Sequence, residues 1–599
     1  MDEREIRGLI EDVRAGRVSR RAFTRLMVGL GLGAPLAAQM LTCAGAARAQ
    51  VRTDAFTPAR RGGGGQLKAL WWQAPTLLNP HFATGTKDQD ASRIFYEPLA
   101  SFDPDGNLVP VLAAEIPSLQ NGGLARDGMS VTWRLKRGVA WHDGRPFTAD
   151  DVVFNWEFVA DPATAAVTVG AYRDLQRIEK LDSHTVKLVF SRPLPFWADA
   201  FCGIRGMLIP KHLFDSYRGA RSREAPANLR PVGTGPYRFV DFKPGDVVRG
   251  ELNPAYHVPN RPFFDVVEMK GGGDAASAAR AVLQTGEYDY AWNMQVEDDI
   301  LRRLEQGGKG RVNIWPTGNP EHIQCNFTDP WRDVDGERSS VKTSHPLLAD
   351  PAVRRALNLL VDRAAVQEEI YGRQGQTTAN FLNAPSRFYS RSTSWEFSVE
   401  KANQVLDAAG WVRGPDGVRA KDGRKLRMVY QTSINVPRQK TQQIVKQAAA
   451  RAGIELELKS VVASVYFSSD VANPDTYGHS YADLQMYNTT MGSPDPAYFM
   501  NQFTSWEVAS KDNKWQGRNI TRWRNEEYDR AYRAADVELD PVKRAALFVK
   551  MNDLVIQNVV VIPVLWRNGV SASAARLRGM DLSGWDLTLW HLAYWYKQA

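Results

Sequence analysis

The stretch that decides the fold is residues 131–157, VTWRLKRGVAWHDGRPFTADDVVFNWE. Its first part alternates, with Val131, Trp133 and Leu135 on one side and polar residues on the other. Alternation of this kind is the period of a β-strand with one buried face. We therefore predict a half-buried strand that begins at about residue 131.

The second part of the same stretch predicts a turn followed by a helix. Gly144 ends a His-Asp-Gly tripeptide and can adopt the positive φ that a tight turn needs. Thr148 and Asp151 then have the spacing of a capping box, with Asp in place of the usual Glu. The helix that follows is expected to bury one face, which carries the side chains Val152, Val153 and Trp156.

Further blocks in a fixed order extend the pattern over the chain from about residue 66 to the C-terminus. They are IFYEPL at 94–99 with DGNLVP at 105–110, PVGTGPY at 231–237, NPAY at 253–256, GEYD at 286–289, residues 350–363, residues 406–411 and VVIP at 560–563. Together with residues 131–157, they resemble the family 5 extracytoplasmic solute-binding proteins, the peptide, nickel and dipeptide-type receptors of ABC importers.

The resemblance implies an α/β, two-lobed periplasmic-binding-protein fold with mixed sheets, two hinge strands and an enlarged first lobe. Lobe I would comprise residues 66–326 and 563–599, and lobe II residues 327–562. The hinge strands are expected near 322–327 and 560–566. Residues 426–458 read independently as strand, helix and strand, which predicts a parallel pair.

The N-terminus predicts export. Paired arginines at 20 and 21 precede a short apolar run, and Ala47-Arg48-Ala49 offers a cleavage site, so residues 1–49 resemble a twin-arginine signal peptide. Cys43 leaves a lipoprotein signal as an alternative. Residues 50–65 are rich in Arg, Ala and Gly and predict a flexible leader. The expected partner in export is the twin-arginine machinery, and the expected location is the periplasm.

Composition excludes several classes of function. The 599 residues contain 75 Lys and Arg against 67 Asp and Glu. Removal of residues 1–49, which contain eight and five of these, leaves a small excess without a basic block, so no nucleic-acid partner is expected. Only Cys202 and Cys325 remain after cleavage, too few for a thiolate metal cluster. Their spacing leaves a disulfide open.

No catalytic motif is present in the sequence. There is no nucleophile elbow, no phosphate-binding loop and no histidine pair at helical spacing. We predict no enzymatic activity, no metal site and no cofactor. The alternative from another class is an exported hydrolase with paired carboxylates in the cleft.

Several side chains are expected to line the ligand cleft that the resemblance implies. They come from polar loops and strand ends, or are aromatic groups suited to stacking. They are Asn79, Thr84, Thr86, Trp292, Asn293, Trp395, Asn435, Arg438, Tyr487, Asn488 and Asp495. Arg438 is the predicted partner for a ligand carboxylate.

One departure from the family pattern bears on the ligand. Dipeptide and oligopeptide receptors have an aspartate, three residues before the last acid of the 486–496 loop, that pairs with the ligand's amino terminus. That position is Gly492 here. Since a buried ammonium without a counter-charge is costly, either Asp495 or another acid replaces it, or the ligand has no free amine.

The prediction is therefore a periplasmic receptor, expected to be a monomer. It captures a small-molecule or peptide-like solute between its lobes and delivers it to an ABC permease and ATPase complex in the inner membrane. An oligosaccharide or opine-like solute is the alternative ligand, and a chaperone-like or signalling receptor is an alternative role.

Overall fold

The computed structural model describes residues 12, 13, 23, 56–467, 473–515 and 517–598. The predicted signal peptide and the alternative at Cys43 lie outside these residues, apart from positions 12, 13 and 23. Of the leader, residues 56–65 are described and are fixed by contacts. The backbone amides of Gly63 and Gly65 donate to Asp265 at 2.8 Å, and the ring of Phe56 stacks on Tyr596 at 4.2 Å. Residues 56–65 are therefore held against the rest of the protein, whereas the flexibility predicted for residues 50–65 as a whole stays a prediction.

The strands are short, apart from two. They are β1 Gln66–Trp71, β2 Ala100–Phe102, β3 Leu108–Pro110, β4 Ser130–Arg134, β5 Leu175–Asp182, β6 Thr185–Phe190, β7 Tyr237–Lys243, β8 Val247–Leu252, β9 Val266–Gly271, β10 Tyr290–Ala291, β11 Gly310–Cys325, β12 Gly375–Thr377, β13 Val412–Arg413, β14 Arg419–Lys421, β15 Arg424–Lys425, β16 Arg427–Ser433, β17 Glu455–Val461, β18 Leu484–Asn488, β19 Val561–Ala574, β20 Leu577–Arg578 and β21 Tyr596–Lys597.

The α-helices alternate with these strands along the chain. They are α1 Thr86–Arg93, α2 Ala149–Ala160, α3 Lys211–Phe214, α4 Ala275–Leu283, α5 Asp298–Glu305, α6 Pro351–Leu359, α7 Arg363–Val366, α8 Val399–Ala408, α9 Val436–Arg451, α10 Ala463–Tyr466, α11 Ala497–Met500, α12 Glu526–Ala535 and α13 Pro541–Gln557. No helix in the described part of the chain combines the length and the apolar character that crossing a bilayer requires.

The signature stretch forms the predicted strand, turn and helix. In β4, Val131 and Trp133 are buried and Arg134 is exposed. The capping box at Thr148 and Asp151 is present at the start of α2. The buried face of α2 differs from the predicted one. Val153 and Trp156 are only half-buried, because Asn155 turns inward and its amide exchanges two hydrogen bonds with the backbone of Ile209.

One mixed sheet runs through the whole molecule in the order β17-β16-β18-β11-β19-β10-β1-β9-β8-β7, with β12 paired to β19. β16 and β17 pair in parallel around α9, which confirms the predicted strand–helix–strand unit. The long strands β11 and β19 are antiparallel and lie between the two ends of the sheet. They overlap the segments predicted as hinge strands but are much longer, at 16 and 14 residues.

The apolar core divides into clusters whose boundaries differ from the predicted lobe boundaries. One large cluster includes the signature stretch together with residues of α12 and α13, such as Tyr528 and Phe548. A second cluster packs α6, α8 and α9 against β16 and β18. Helices α12 and α13 were predicted within lobe II, so the first cluster crosses the predicted lobe boundary. The C-terminal segment returns to the first lobe, where Asp586 accepts a hydrogen bond from the amide of Phe102.

Candidate functional site

The strand register places the candidate site at the middle of the two long strands. β10 ends at Ala291, which pairs with Ala572 of β19, and β18 ends at Asn488, which pairs with Glu321 of β11. The carboxyl ends of parallel strands from both lobes therefore point toward the same stretch of the hinge. Ligands of α/β proteins bind at such strand ends.

The start of α9 contacts the loop that follows β10. The side-chain amide of Asn435 donates to the side-chain oxygen of Gln295. Close by, the ammonium of Lys440 lies 2.6 Å from the carboxylate of Glu297. Both contacts join residues of the predicted lobe II to residues of the predicted lobe I.

The loop after β18 contacts a second loop of lobe I, at Ile204 and Arg205. The guanidinium of Arg205 lies 4.1 Å from the ring centre of Tyr498, a cation–π geometry. A Cβ atom on Gly492 would lie 2.8 Å from Cδ1 of Ile204, so the two loops touch there. The segment after β18 packs into the same apolar cluster as this loop of lobe I, so the contacts that join the two ends of the sheet next to the hinge are those of Asn435 and Lys440.

A buried cluster of three charged residues lies at the hinge. Glu321 of β11 is fully buried and accepts from Nε of Arg438 at 2.6 Å and from Nη1 of Arg567 at 3.2 Å. Burial alone opposes ionisation of Glu321, but the two guanidinium groups hold its pKa below the ordinary value. The cluster contains two cations and one anion.

The predicted site residues Asn79, Thr84 and Thr86 lie within lobe I, between β1 and the start of α1. Asn79 is fully buried and its side-chain amide is committed to the same lobe, donating to Oδ1 of Asn228 at 2.7 Å and accepting from the amide of His81 at 2.9 Å. Thr84 is exposed, and Thr86 is the half-buried first residue of α1.

Trp292 and Asn293 lie at the end of β10, next to the hinge. The ring of Trp292 lies 6.1 Å from that of Trp71 and 6.2 Å from that of Trp72. Asn293 has a φ of +53°, and its carbonyl accepts from Nε1 of Trp72 at 2.9 Å. These contacts form an aromatic wall beside the strand ends of lobe I.

The structure assigns Arg438 a different partner from the predicted one. Its Nε and Nη2 donate to Glu321 and its Nη1 donates to Ser433, so its donors are used within the protein. Asn435 caps α9 by accepting from the amide of Arg438 at 3.2 Å. Sequence reasoning missed Glu321 and Arg567, because they lie on the long strands without a motif around them.

The remaining predicted residues lie in lobe II. Trp395 is half-buried, with the guanidinium of Arg363 at 5.6 Å, and Tyr487 is buried against Tyr477 at 5.2 Å. The side-chain amide of Asn488 donates to the carbonyl of Pro320 at 3.3 Å.

Asp495 was considered as a replacement for the acid that is missing at Gly492. Its carboxylate is 4% exposed and accepts from both terminal nitrogens of Arg544. A carboxylate bound in this way is already neutralised, so it does not supply the missing counter-charge.

A cavity of about 80 Å³ lies in lobe I, away from the hinge. Its wall includes Glu97 of the signature pattern, which accepts from His257, Tyr256 and Thr234 at 2.9–3.0 Å. Burial opposes ionisation, yet the His257 ring holds the pKa of Glu97 at about 2. These bonds tie three signature blocks together, which is a structural role.

The structure answers the open question on the cysteines. Cys202 and Cys325 are both buried and free, one in each of the two large apolar clusters. Within the described residues, no group of three or more His, Cys, Asp or Glu side chains could hold a metal ion.

Comparisons with known proteins agree with this architecture. Glutathione-binding protein GsiB of Escherichia coli (strain K12) is 23% identical over 518 residues, which cover 84% of this chain and 89% of that protein. Oligopeptide-binding protein AppA of Bacillus subtilis (strain 168) is 27% identical over 452 residues, 74% of this chain and 77% of that protein.

Two solved structures share the fold. AppA from Bacillus subtilis in complex with a nonapeptide superposes with a TM-score of 0.74 at 22% identity, covering 91% of this chain and all of AppA. NikZ from Campylobacter jejuni in complex with Ni(L-His) superposes with the same TM-score at 21% identity, covering 89% of this chain and 99% of NikZ. Two lobes around a hinge are therefore the architecture of this chain.

The sequence match to a family of solute-binding receptors defines the class of protein. The family model of the bacterial extracellular solute-binding proteins, family 5, matches residues 107–511, more than half of the chain. The chain belongs to this family, whose members are periplasmic or extracellular and bind solutes for ABC importers.

Proposed function

We propose that this chain captures a peptide-like solute between its two lobes and delivers it to an ABC permease. Peptide binding is taken from the relatives, which include an oligopeptide-binding and a glutathione-binding protein. The observation that carries the proposal is the convergence of strand ends from both lobes on β11 and β19, with the side-chain bond between Asn435 and Gln295 joining the two lobes there. A solute held there would touch both lobes, and its binding would favour closure.

The proposal extends to the export route and the oligomeric state of the protein. Residues 1–49 direct the folded chain through the twin-arginine route into the periplasm, which the paired arginines and the cleavage motif support. The mature chain acts as a monomer, because the clamp is complete within one chain. Size-exclusion chromatography with light scattering and replacement of Arg20-Arg21 by lysines test these statements; a dimer, or export that survives the replacement, would contradict them.

The ligand itself is accessible to experiment. We would purify the protein from its own periplasm without denaturation and identify the co-purifying solute by native mass spectrometry. In parallel, peptides of two to nine residues would be screened by thermal shift and calorimetry. A peptide or peptide conjugate is expected. A saccharide as the bound solute, or a product that accumulates from any tested peptide, would contradict the proposal.

A further inference from the structure

The hinge cluster contains one more positive charge than its own carboxylate can balance. Glu321 is 0% exposed, Arg438 is 3% exposed and Arg567 is 8% exposed. A buried charge without a partner is costly, and protein structures generally pair such charges. The pair of Glu321 with Arg438 is complete by itself, so Arg567 is the cation in excess.

The bonds of Arg567 leave one edge of its guanidinium unused. Nη1 is the atom that donates to Glu321, whereas Nε is buried and has no hydrogen-bond partner among the described residues. The edge formed by Nε and Nη2 is the one that Arg438 uses for its two bonds to Glu321. Two parallel N–H groups of this kind match the two oxygens of a carboxylate.

Other ionisable groups near the hinge do not balance this charge. The carboxylate of Asp298 is bound by Arg373 and Arg302, and that of Glu297 by Lys440. The ring of Tyr371 lies 5.5 Å from the guanidinium of Arg567, and burial raises the pKa of its hydroxyl, which stays neutral.

Arg567 also has the right position for a ligand contact. It lies on β19 opposite Asn319, within the stretch of the hinge on which the strand ends of both lobes converge. It shares a face of the sheet with Glu321, which Arg438 of α9 binds, and Asn435 of the cross-lobe bond lies at the start of the same helix.

We infer that the solute carries a carboxylate and that the Nε–Nη2 edge of Arg567 binds it at the hinge. This inference rests on the proposed function and narrows it to acidic solutes. It assigns to Arg567 the role that the sequence predicted for Arg438. The absence of an acid at Gly492 agrees with this inference. The site then has a cation for a carboxylate and no anion for an ammonium group.

The test uses tripeptides made in four forms: free acid, C-terminal amide, amide with a central Glu, and amide with a central Gln. Calorimetry gives the dissociation constant of each form. Wild-type protein should bind a carboxylate-bearing form at least about 30-fold more tightly than its neutral counterpart. The acid–amide pair and the Glu–Gln pair distinguish a terminal carboxylate from a side-chain carboxylate.

Three variants separate this role from a structural one. Arg567→Met should reduce the preference for the carboxylate to less than about 3-fold, and Arg567→Lys should retain only part of it because lysine has no fork. The control is Arg354→Met, since Arg354 is also buried but donates to the carbonyls of Leu348 and Asn558. It should lower the urea midpoint and leave the preference unchanged. Arg567→Met removes one bond to Glu321 and should lower the urea midpoint by no more than Arg354→Met does, so a loss of the carboxylate preference in this variant alone does not come from instability.

The binding measurements distinguish a failure of the inference from a failure of the proposed function. Equal binding of acidic and neutral forms by wild-type protein, or an unchanged preference in Arg567→Met, would overturn the inference and leave the proposed function standing. If no tripeptide or longer peptide binds in any form, the proposed function fails and the inference fails with it.

Discussion

At the scale of single residues, the site differs from a peptide receptor that holds a free amino terminus. Gly492 has no side chain, and Asp495 is bound to Arg544. We therefore expect N-acetylation of a bound peptide to change its affinity by less than about threefold, measured by calorimetry on the acetylated and free forms. A loss of more than about 2 kcal/mol, the scale of a broken buried charge pair, would show that an acid still holds the amine.

Glu97 provides a residue-scale prediction for stability. Its pKa is about 2 in the folded protein, against an ordinary value of 4.5 for a glutamate in the unfolded chain. Its ionised form therefore stabilises the fold at pH above about 4.5, and this contribution is lost as the pH falls toward 2. Glu97→Gln should lower the free energy of unfolding at pH 7 by about 3 kcal/mol.

The pH dependence provides the check on Glu97. In urea titrations, the difference between Glu97→Gln and wild type should shrink as the pH falls from about 4.5 toward 2. Glu526→Gln, at an exposed side chain, is the control and should show no difference at any pH. A difference that stays constant with pH would mean that the charge of Glu97 is not what stabilises these signature blocks.

At the scale of elements, the capping box at the start of α2 is the clearest case of sequence dictating structure. Thr148→Ala removes a side chain that accepts from the amide of Asp150, and it should lower the free energy of unfolding by about 1 kcal/mol. Urea titration measures this, with Thr84→Ala at an exposed threonine as the control. Equal effects of the two substitutions would contradict the role of the cap.

Short elements with local signals could be predicted, whereas the long hinge strands could be predicted only in part. Helices α6, α8 and α9 begin at the caps Asp350, Ser398 and Asn435, residue types that favour this position, although Asn435 was predicted as a ligand contact. The 16 residues of β11 contain Pro316, Gly318 and Pro320, which interrupt the strand period. The register shifts at these positions, so pairing with β19 maintains the strand where the local pattern does not.

The candidate site also combines residues that could be predicted from the sequence with residues that could not. Trp292 and Asn293 could be placed at a strand end from the local pattern, and the structure has them there. The partner of Arg438 could not be predicted, because Glu321 is 117 residues away in the chain and the pair depends on how β11 passes the start of α9. Arg567 was missed for the same reason.

At the scale of the whole molecule, closure depends on contacts between the lobes. Gln295→Ala removes the side chain that accepts from Asn435 of the other lobe, and the loss of one hydrogen bond, about 1 kcal/mol, should weaken solute binding about fivefold. Gln404→Ala is the matched control, because its exposed side chain donates to Glu400 of the same helix. Calorimetry with the identified solute measures both. Equal affinities of Gln295→Ala and wild type would show that this contact does not contribute to closure.

The proposed function depends on two lobes that close on a solute and release it unchanged. The most direct test is small-angle X-ray scattering of the protein without solute and at saturation with a solute whose binding calorimetry has established. The radius of gyration should decrease on binding, and mass spectrometry of the same sample should recover the solute intact. An unchanged scattering profile at saturation, or conversion of the solute into a product, would contradict the account.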